Sequence, residues 1–466
     1  MKRFHKSIIF GFRLGIFLTL LALMAVFFFG AYLERVEYGL YDLSSRLRVK
    51  SSAAPVAVIA IDEKSLADFG PWPWPRSYIA FMIDLLESYE ARVIGLDIMY
   101  SDKDLNHGLK EVLNIIKTIE NNPQYSRKNM STIVLLAALK DAERRLDNDA
   151  ILANSIAMNK KVVLPLFFVL GKSSVEDFHS FPDYLGNNSL FPFSFDDSVS
   201  AHGIVTPIPA FAKDSLAMGH VNVIADGDGT VRSEPLFINY NDKIFASFAL
   251  QLTLAYLNLD LHDIKFGKEL TFGSKTIPLF RHNKMLITFK NGIPYYSFLD
   301  VINKKIPAEA FKNKIVIIAP SIPVFGAIQV TPITFNVPAA KITANVIDNI
   351  ISNDYILRPQ WALILELLMI FFFGLYIALI IPQLKASSGA IISLGFLVFW
   401  LITGVFLFMV YGYWIKSIYS ALLLIVGYIA IISKRYLLRE RLKERIYADS
   451  VATNKMRKRD TQQAKN

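Results

Sequence analysis

The chain has 466 residues, 53% of them hydrophobic, with a formal net charge of +10 and no cysteine. That length holds two or three ordinary domains, and a mean hydropathy of +0.36 lies above the globular range, so the placement of the apolar residues matters more than their number. The absence of thiols excludes disulfide staples and thiolate-bound structural zinc.

Residues 1–13 carry Lys2, Arg3, Lys6 and Arg13 and no acidic side chain. Leu14 to Leu33 then runs for twenty residues without a charge, enough helix to cross about 30 Å of hydrocarbon. The run is too long for a signal-peptide core and lacks a small-residue cleavage pattern, so an uncleaved anchor is expected.

Residues 34–357 read as one extracytoplasmic α/β domain with a mixed, partly parallel sheet flanked by helices. Val56–Ile61 is a continuous apolar run, the pattern of a strand covered on both faces. Pro75 opens a helix whose Ile79, Met82, Ile83 and Leu86 share one face. Arg92–Ile98 is a second apolar strand, which makes a βαβ unit with parallel strands. Residues 103–146 predict helices with a loop near Asn121–Pro123, Asp149–Asn159 a helix, and Lys161–Phe168 a strand. Residues 171–200 read as loop. His220–Ile224 and Thr230–Ile238 flank Asp226-Gly-Asp-Gly229, a hairpin signal. A helix near Phe245–Leu257, short strands around Leu286–Phe289, a buried strand at Lys314–Ala319 and a helix at Ala340–Ser352 complete the domain.

Three more apolar stretches follow, about 361–381, 388–411 and 414–432, which with the anchor predict four transmembrane helices. The tail, 433–466, holds eleven Lys/Arg and four Asp/Glu. The basic N-terminus, Lys385 and the tail then lie on one side, and the positive-inside rule makes it cytoplasmic. Outside those segments the chain carries 34 basic and 36 acidic residues, so the positive charge points to anionic lipid, not nucleic acid.

Several strings carry a family resemblance: Ala60-Ile-Asp-Glu-Lys-Ser-Leu66, Gly70-Pro-Trp-Pro-Trp-Pro-Arg76, Val93-Ile-Gly-Leu-Asp97, Gly219-His-Val-Asn222, Asp226-Gly-Asp-Gly-Thr-Val-Arg232 and Ala344-Asn-Val-Ile-Asp348. In that order, over roughly Tyr38 to Leu357, the chain resembles the type-two CHASE domain, an extracytoplasmic sensory module of bacterial receptors. The resemblance implies a bacterial inner-membrane sensor, a homodimer, and a small molecule or periplasmic protein as its signal. Family members usually have glycine and histidine where this chain has Ala339 and Thr343, and glycine where Ala319-Pro320 stands. The family commonly continues into a cyclase or kinase domain, whereas residues 433–466 read as a basic helix with a frayed end. The expectation is a non-enzymatic sensor that relays to a separate cytoplasmic signalling protein, without cofactor or metal. The alternatives are a receptor cyclase or kinase whose catalytic domain is lost, and a small channel or transporter.

Candidate ligand-binding residues gather at the carboxyl ends of the first strands, where α/β sheets bind ligands. Asp62 and Asp97 end two parallel strands and suit a cation or cationic ligand, or cap helices. Trp72 and Trp74, alternating with prolines, form an extended lid or a packed loop. Arg76 is expected to pair with Asp62 or Asp97. Gly70, Gly219, His220, Asp226, Asp228, Arg232 and Asn345 are motif residues with structural readings: a hairpin turn, an Arg232–carboxylate pair and a hydrogen-bonded histidine. Glu366 lies inside the second span, where ionisable groups face a bundle interior or stay hydrated near the interface.

Overall fold

The computed structural model describes residues 2–28, 30–104, 106–122, 130–171, 181–191, 199–267, 269–322 and 328–463. Of the loop expected near Asn121–Pro123, Asn121 ends a helix and Pro123 lies outside the described residues. Of the expected 171–200 loop, 172–180 and 192–198 lie outside them, while Asp183–Gly186 is helical and Ser189–Leu190 and Val199–Val205 are strands. The chain forms two compact units: Val49–Leu357, and residues up to Arg48 together with Arg358 onward.

The first unit is built on a ten-stranded sheet. Its parallel part uses β1 (Val56–Ile61), β2 (Val93–Leu96), β3 (Val162–Leu170), β5 (Ala217–His220), β8 (Tyr295–Ser297) and β9 (Ile315–Pro320) in the order β8-β1-β9-β2-β3-β5. The predicted βαβ unit forms, but its two strands are not neighbours. β9 lies between them, with Ile317 opposite both Val58 and Gly95. The far half of β3 pairs antiparallel with β4 (Val199–Val205), and the sheet continues through β6 (Phe237–Tyr240) and β7 (Lys243–Ala246).

Helices cover both faces, which is why the central strands read as unbroken apolar runs. On one face α2 (Arg76–Ser88) and α3 (Asn148–Asn159) pack on Ala57, Ile59, Ile94 and Leu96. On the other, α4 (Phe248–Leu257) and α5 (Ala339–Ser352) pack on Val56, Val58, Val93 and Ile317. Side-chain caps fix four α-helix starts among the described residues: Asp62 for α1 (Glu63–Phe69), Asn106 for the helix His107–Asn121, Asp147 for α3 and Ser247 for α4. Helices His107–Asn121 and Met130–Leu146 occupy the long connection after β2.

The hairpin expected around Asp226–Gly229 is not one. A tight turn is present, with the Gly229 amide donating to the Asp226 carbonyl at 2.9 Å. The chain on either side diverges, because β5 joins the central sheet beside β3 while Ser233–Pro235 pairs with Lys284–Leu286. A parallel slot beside β3 buries β5 on both faces, which a two-stranded ribbon could not do.

In the second unit, three helices among the described residues are long and apolar enough to cross a membrane: Gln360–Gln383, Ala386–Tyr411 and Ile418–Thr453. The helix Lys2–Phe28 carries a shorter apolar run, Phe12–Phe28. Phe29 lies outside the described residues, and Gly30–Leu47 is helical again. Residues 34–48 thus belong with the apolar helices, not with the α/β domain expected to start at 34. The last apolar helix opens at Ile418, four residues after the Trp414 start the sequence suggests. Trp414–Ser417 instead form a turn whose amides bind carboxylates.

Gly219 marks the closest approach in the domain. A Cβ there would stand 2.7 Å from the Phe248 Cα and 2.8 Å from the Ser247 carbonyl oxygen. Gly219→Ala is expected to destabilise the domain by about 1–3 kcal/mol through overpacking of β5 on α4, read as a lower melting temperature of the detergent-solubilised chain.

Candidate functional site

The carboxyl edge of the parallel strands holds the sequence-predicted ligand residues, and the structure gives them different roles. Asp62 is a helix cap. Its carboxylate accepts from the Ser65 amide at 2.9 Å, the Ser65 hydroxyl at 2.5 Å and the Ser297 hydroxyl at 3.0 Å, which stitches β1 to α1 and β8. Asp97 follows β2, and its carboxylate has no hydrogen bond or ion pair among the described residues. Burial pushes it up to about 6.

Arg76 pairs with neither of them. Its buried guanidinium binds the Asp149 carboxylate and the Asp102 carbonyl, and lies 4.7 Å over the Tyr100 ring. Asp149 wins because it stands in the first turn of α3, the helix packed against α2. The Asp149 carboxylate also accepts from the Asp104 amide, so this pair organises the start of the long connection. Trp74 is buried, 5.2 Å from both Phe69 and Phe298. Its indole N–H donates to the Gly70 carbonyl at 2.8 Å, so the Pro/Trp segment folds back on itself and does not stay extended. Trp72 leans on Trp74 with ring centroids 5.5 Å apart and keeps partial exposure. Gly70 ends α1 at φ +89, a backbone shape open to glycine.

The remaining motif residues are structural in their contacts. Arg232, 2% exposed, reaches Asp226 at 3.1 Å and Asp228 at 2.8 Å, the carboxylate pairing the sequence suggests. His220 is fully buried, and among the described residues neither ring nitrogen has a hydrogen bond of good geometry, contrary to expectation. Burial pushes it down to about 3, with the Pro235 carbonyl pulling the other way, so the ring packs as a neutral disc near Phe168.

Asn345 and the neighbouring Asn349 act as a substitute strand. Asn349 accepts from the Thr288 amide at 2.7 Å and donates to the Thr288 carbonyl at 2.8 Å, and Asn345 accepts from the Lys290 amide at 2.7 Å. Beneath them the Lys290 ammonium meets Asp348 and the Ser352 hydroxyl, both at 2.8 Å, and Asp354 at 3.6 Å. Asp354 also pairs with Lys50 at 3.2 Å. The first and last residues of the domain are thereby tied through one ion network.

Sequence reasoning missed three features. Lys290 and Asp348 form a buried pair, 5% and 0% exposed at the side chain; they lie 58 residues apart, beyond the reach of any spacing rule. Glu234, buried in the short strand beside Met285, has its carboxyl pushed up to about 8 by burial alone. A surface groove of about 870 Å³ runs at the amino ends of β2 and β3 past Glu87, Arg92, Lys160 and Asp260. It adjoins a cavity of about 320 Å³ with Tyr184, Asn187 and Lys213, sharing Leu216, Leu259 and Asp260. Glu366 pairs with Arg358, both oxygens at 2.9 Å, and is 4% exposed, so it faces the helix bundle.

A mixed α/β domain, continuous at both ends with apolar helices and tied where it begins and ends, defines a class of membrane-tethered domain. Residues 18–379 match the CHASE2 domain, and the chain belongs to that family. CHASE2 is a family of extracytoplasmic sensor domains. No curated protein and no solved structure matches the chain.

Two carboxyls raised by burial make stability depend on pH in a set direction. A raised carboxyl binds its proton more tightly in the folded state, so stability is greatest below about pH 4 for these groups and falls as pH rises towards 6 (Asp97) and 8 (Glu234). Asp97→Asn is expected to raise stability at pH 7 by at most about 3 kcal/mol. Together with Glu234→Gln it should flatten the melting profile between pH 4 and 8.

Proposed function

We propose that this chain is a membrane-embedded, non-enzymatic sensor that relays a periplasmic signal to a separate cytoplasmic protein. The observation that carries this reading is the CHASE2 match across residues 18–379, which takes in the α/β domain and parts of the apolar helices on either side of it. On this reading the chain is a four-span inner-membrane protein, with the domain outside and both termini in the cytoplasm. The basic N-terminus, Lys385 and tail support that orientation.

The signal is a small molecule or periplasmic protein that contacts the carboxyl edge of the parallel strands. Asp97 is the contact residue of choice: it stands at the carboxyl end of β2, and its side chain has no hydrogen bond or ion pair among the described residues. Trp72, with partial exposure, is the second. Asp62, Trp74 and Arg76 hold the surrounding loop in shape. The working unit is a homodimer.

The natural absence of cysteine makes the topology testable without background. Single cysteines at Lys160, Lys385 and Arg441 are expected to react with a membrane-impermeant maleimide from the periplasmic side only at position 160. Labelling of 385 or 441 from that side would overturn the four-span arrangement. A photoreactive residue at Arg441 should capture a cyclase, kinase or other signalling enzyme in vivo; capture of the chain itself and lipid alone, across growth conditions, would count against the relay.

A further inference from the structure

The unit of apolar helices contains a concentration of buried charge that no local pattern in the sequence announces. Its centre is the turn Gly412–Ser417, where the helix Ala386–Tyr411 ends on Gly412 at φ +74 and the helix Ile418–Gln463 begins. Two other segments reach this turn. One is the helix Gly30–Leu47 with Arg48, which leads into the α/β domain. The other is Arg358 and the helix it precedes, which lead out of it.

From the first segment, Glu37 accepts from the amides of Ser417 at 3.2 Å and Ile418 at 2.9 Å. A carboxylate there satisfies two orphan donors and matches the positive end of the helix dipole. Arg48 donates to the carbonyls of Phe408 at 3.0 Å and Met409 at 2.9 Å, in the last turn of the other helix, where carbonyls outnumber backbone donors. Glu34 pairs with Lys416 at 2.5 Å. From the second segment, Arg358 binds Glu366 in a fork, and Glu366 also accepts from the Lys416 amide at 2.8 Å. Arg358 and Lys416 each lie 5.6 Å from the Trp414 ring, and Tyr41 meets Trp414 edge-on at 5.1 Å.

Glu37, Arg48, Glu366 and Lys416 are all at most 6% exposed. Separating buried partners leaves desolvated charges unpaired, so the cluster resists piecemeal opening.

We propose that the Gly412–Ser417 turn is a transmission node, through which movement of either connecting segment is delivered to the start of the helix Ile418–Gln463. This rests on the sensor reading given above. That helix is continuous for 46 residues, about 70 Å, and carries the basic tail. The last helix is therefore the output shaft. On the domain side, the Lys50–Asp354–Lys290–Asp348 network makes the two connecting ends move together.

The test uses the full chain in lipid nanodiscs, with a nitroxide on the single cysteine of Arg441→Cys and its mobility read by electron paramagnetic resonance. Glu34→Lys and Lys416→Glu each place like charges together and are expected to shift the spectrum at 441. The double exchange restores the pair and should return the spectrum to that of the parent. Arg358→Met, which loosens the other segment, should shift it as well. An unmoved spectrum in both single variants and in Arg358→Met, with amide protection of the domain intact, overturns the node. So does a shift that persists in the double exchange. If the single variants fail to fold, the double exchange and Glu37→Gln decide instead: a parental spectrum in the first and a shifted one in the second support the node, and any other result overturns it. Partner capture at Arg441 is read on the unlabelled chain. Capture without coupling defeats the node and leaves the sensor reading standing, and coupling without capture does the reverse.

Discussion

The placement of Ile315–Pro320 between Val56–Ile61 and Val93–Leu96 is the constraint on which the domain depends. The first βαβ unit skips one strand position, and a strand more than 200 residues later fills it. Until it arrives, the inner edges of β1 and β2 have open backbone groups and uncovered apolar faces. Once in place, it directs the following helix, α5, onto the same face as α4. The chain thus leaves the domain near where it entered, and Lys50 and Asp354 meet. Such non-local pairing makes the domain rich in contacts between distant parts of the chain.

That closure separates charges that build from charges left over. Asp62, Arg76, Asp149 and Arg232 each find partners, and their contacts explain why they are present without reference to a ligand. Asp97 and Glu234 are different: burial raises both carboxyls and no partner among the described residues repays the desolvation. A chain selected for stability alone would hold amides or apolar side chains at these places. Asp97 also stands at the carboxyl edge of the parallel strands, the edge at which α/β sheets commonly bind ligands.

The electrostatics of the apolar helices follow another logic. Charge in hydrocarbon is costly, and here it is concentrated at helix ends, where carboxylates face free amides and guanidinium groups face the carbonyls of a last turn. The same contacts satisfy backbone groups that the turn would otherwise leave bare. A single cluster therefore serves the stability of the bundle and links the segments on either side of the domain.

The strands, the flanking helices and the three late apolar stretches were legible in the sequence because each is a local signal: an unbroken β-branched run, a 3.6-residue stripe, a long apolar run. The family strings located the motif residues, and the need for glycine at 70 and 219 has a backbone reason at each. Pairing was not legible. Arg76 reached Asp149 and not Asp62 or Asp97, and Lys290 found Asp348, because each choice depends on which elements pack together once the sheet order is set. Glu366 found Arg358 eight residues before it on its own segment. The turn at Asp226–Gly229 misled for the same reason: its residues specify a reversal of direction, while the neighbouring strands answer to the larger apolar area buried beside β3. Local sequence determined the elements and their spans. Only the tertiary structure decided the strand order, the partners of the buried charges and the two carboxyls left without one among the described residues, since desolvation and hydrogen bonding are properties of neighbours in space.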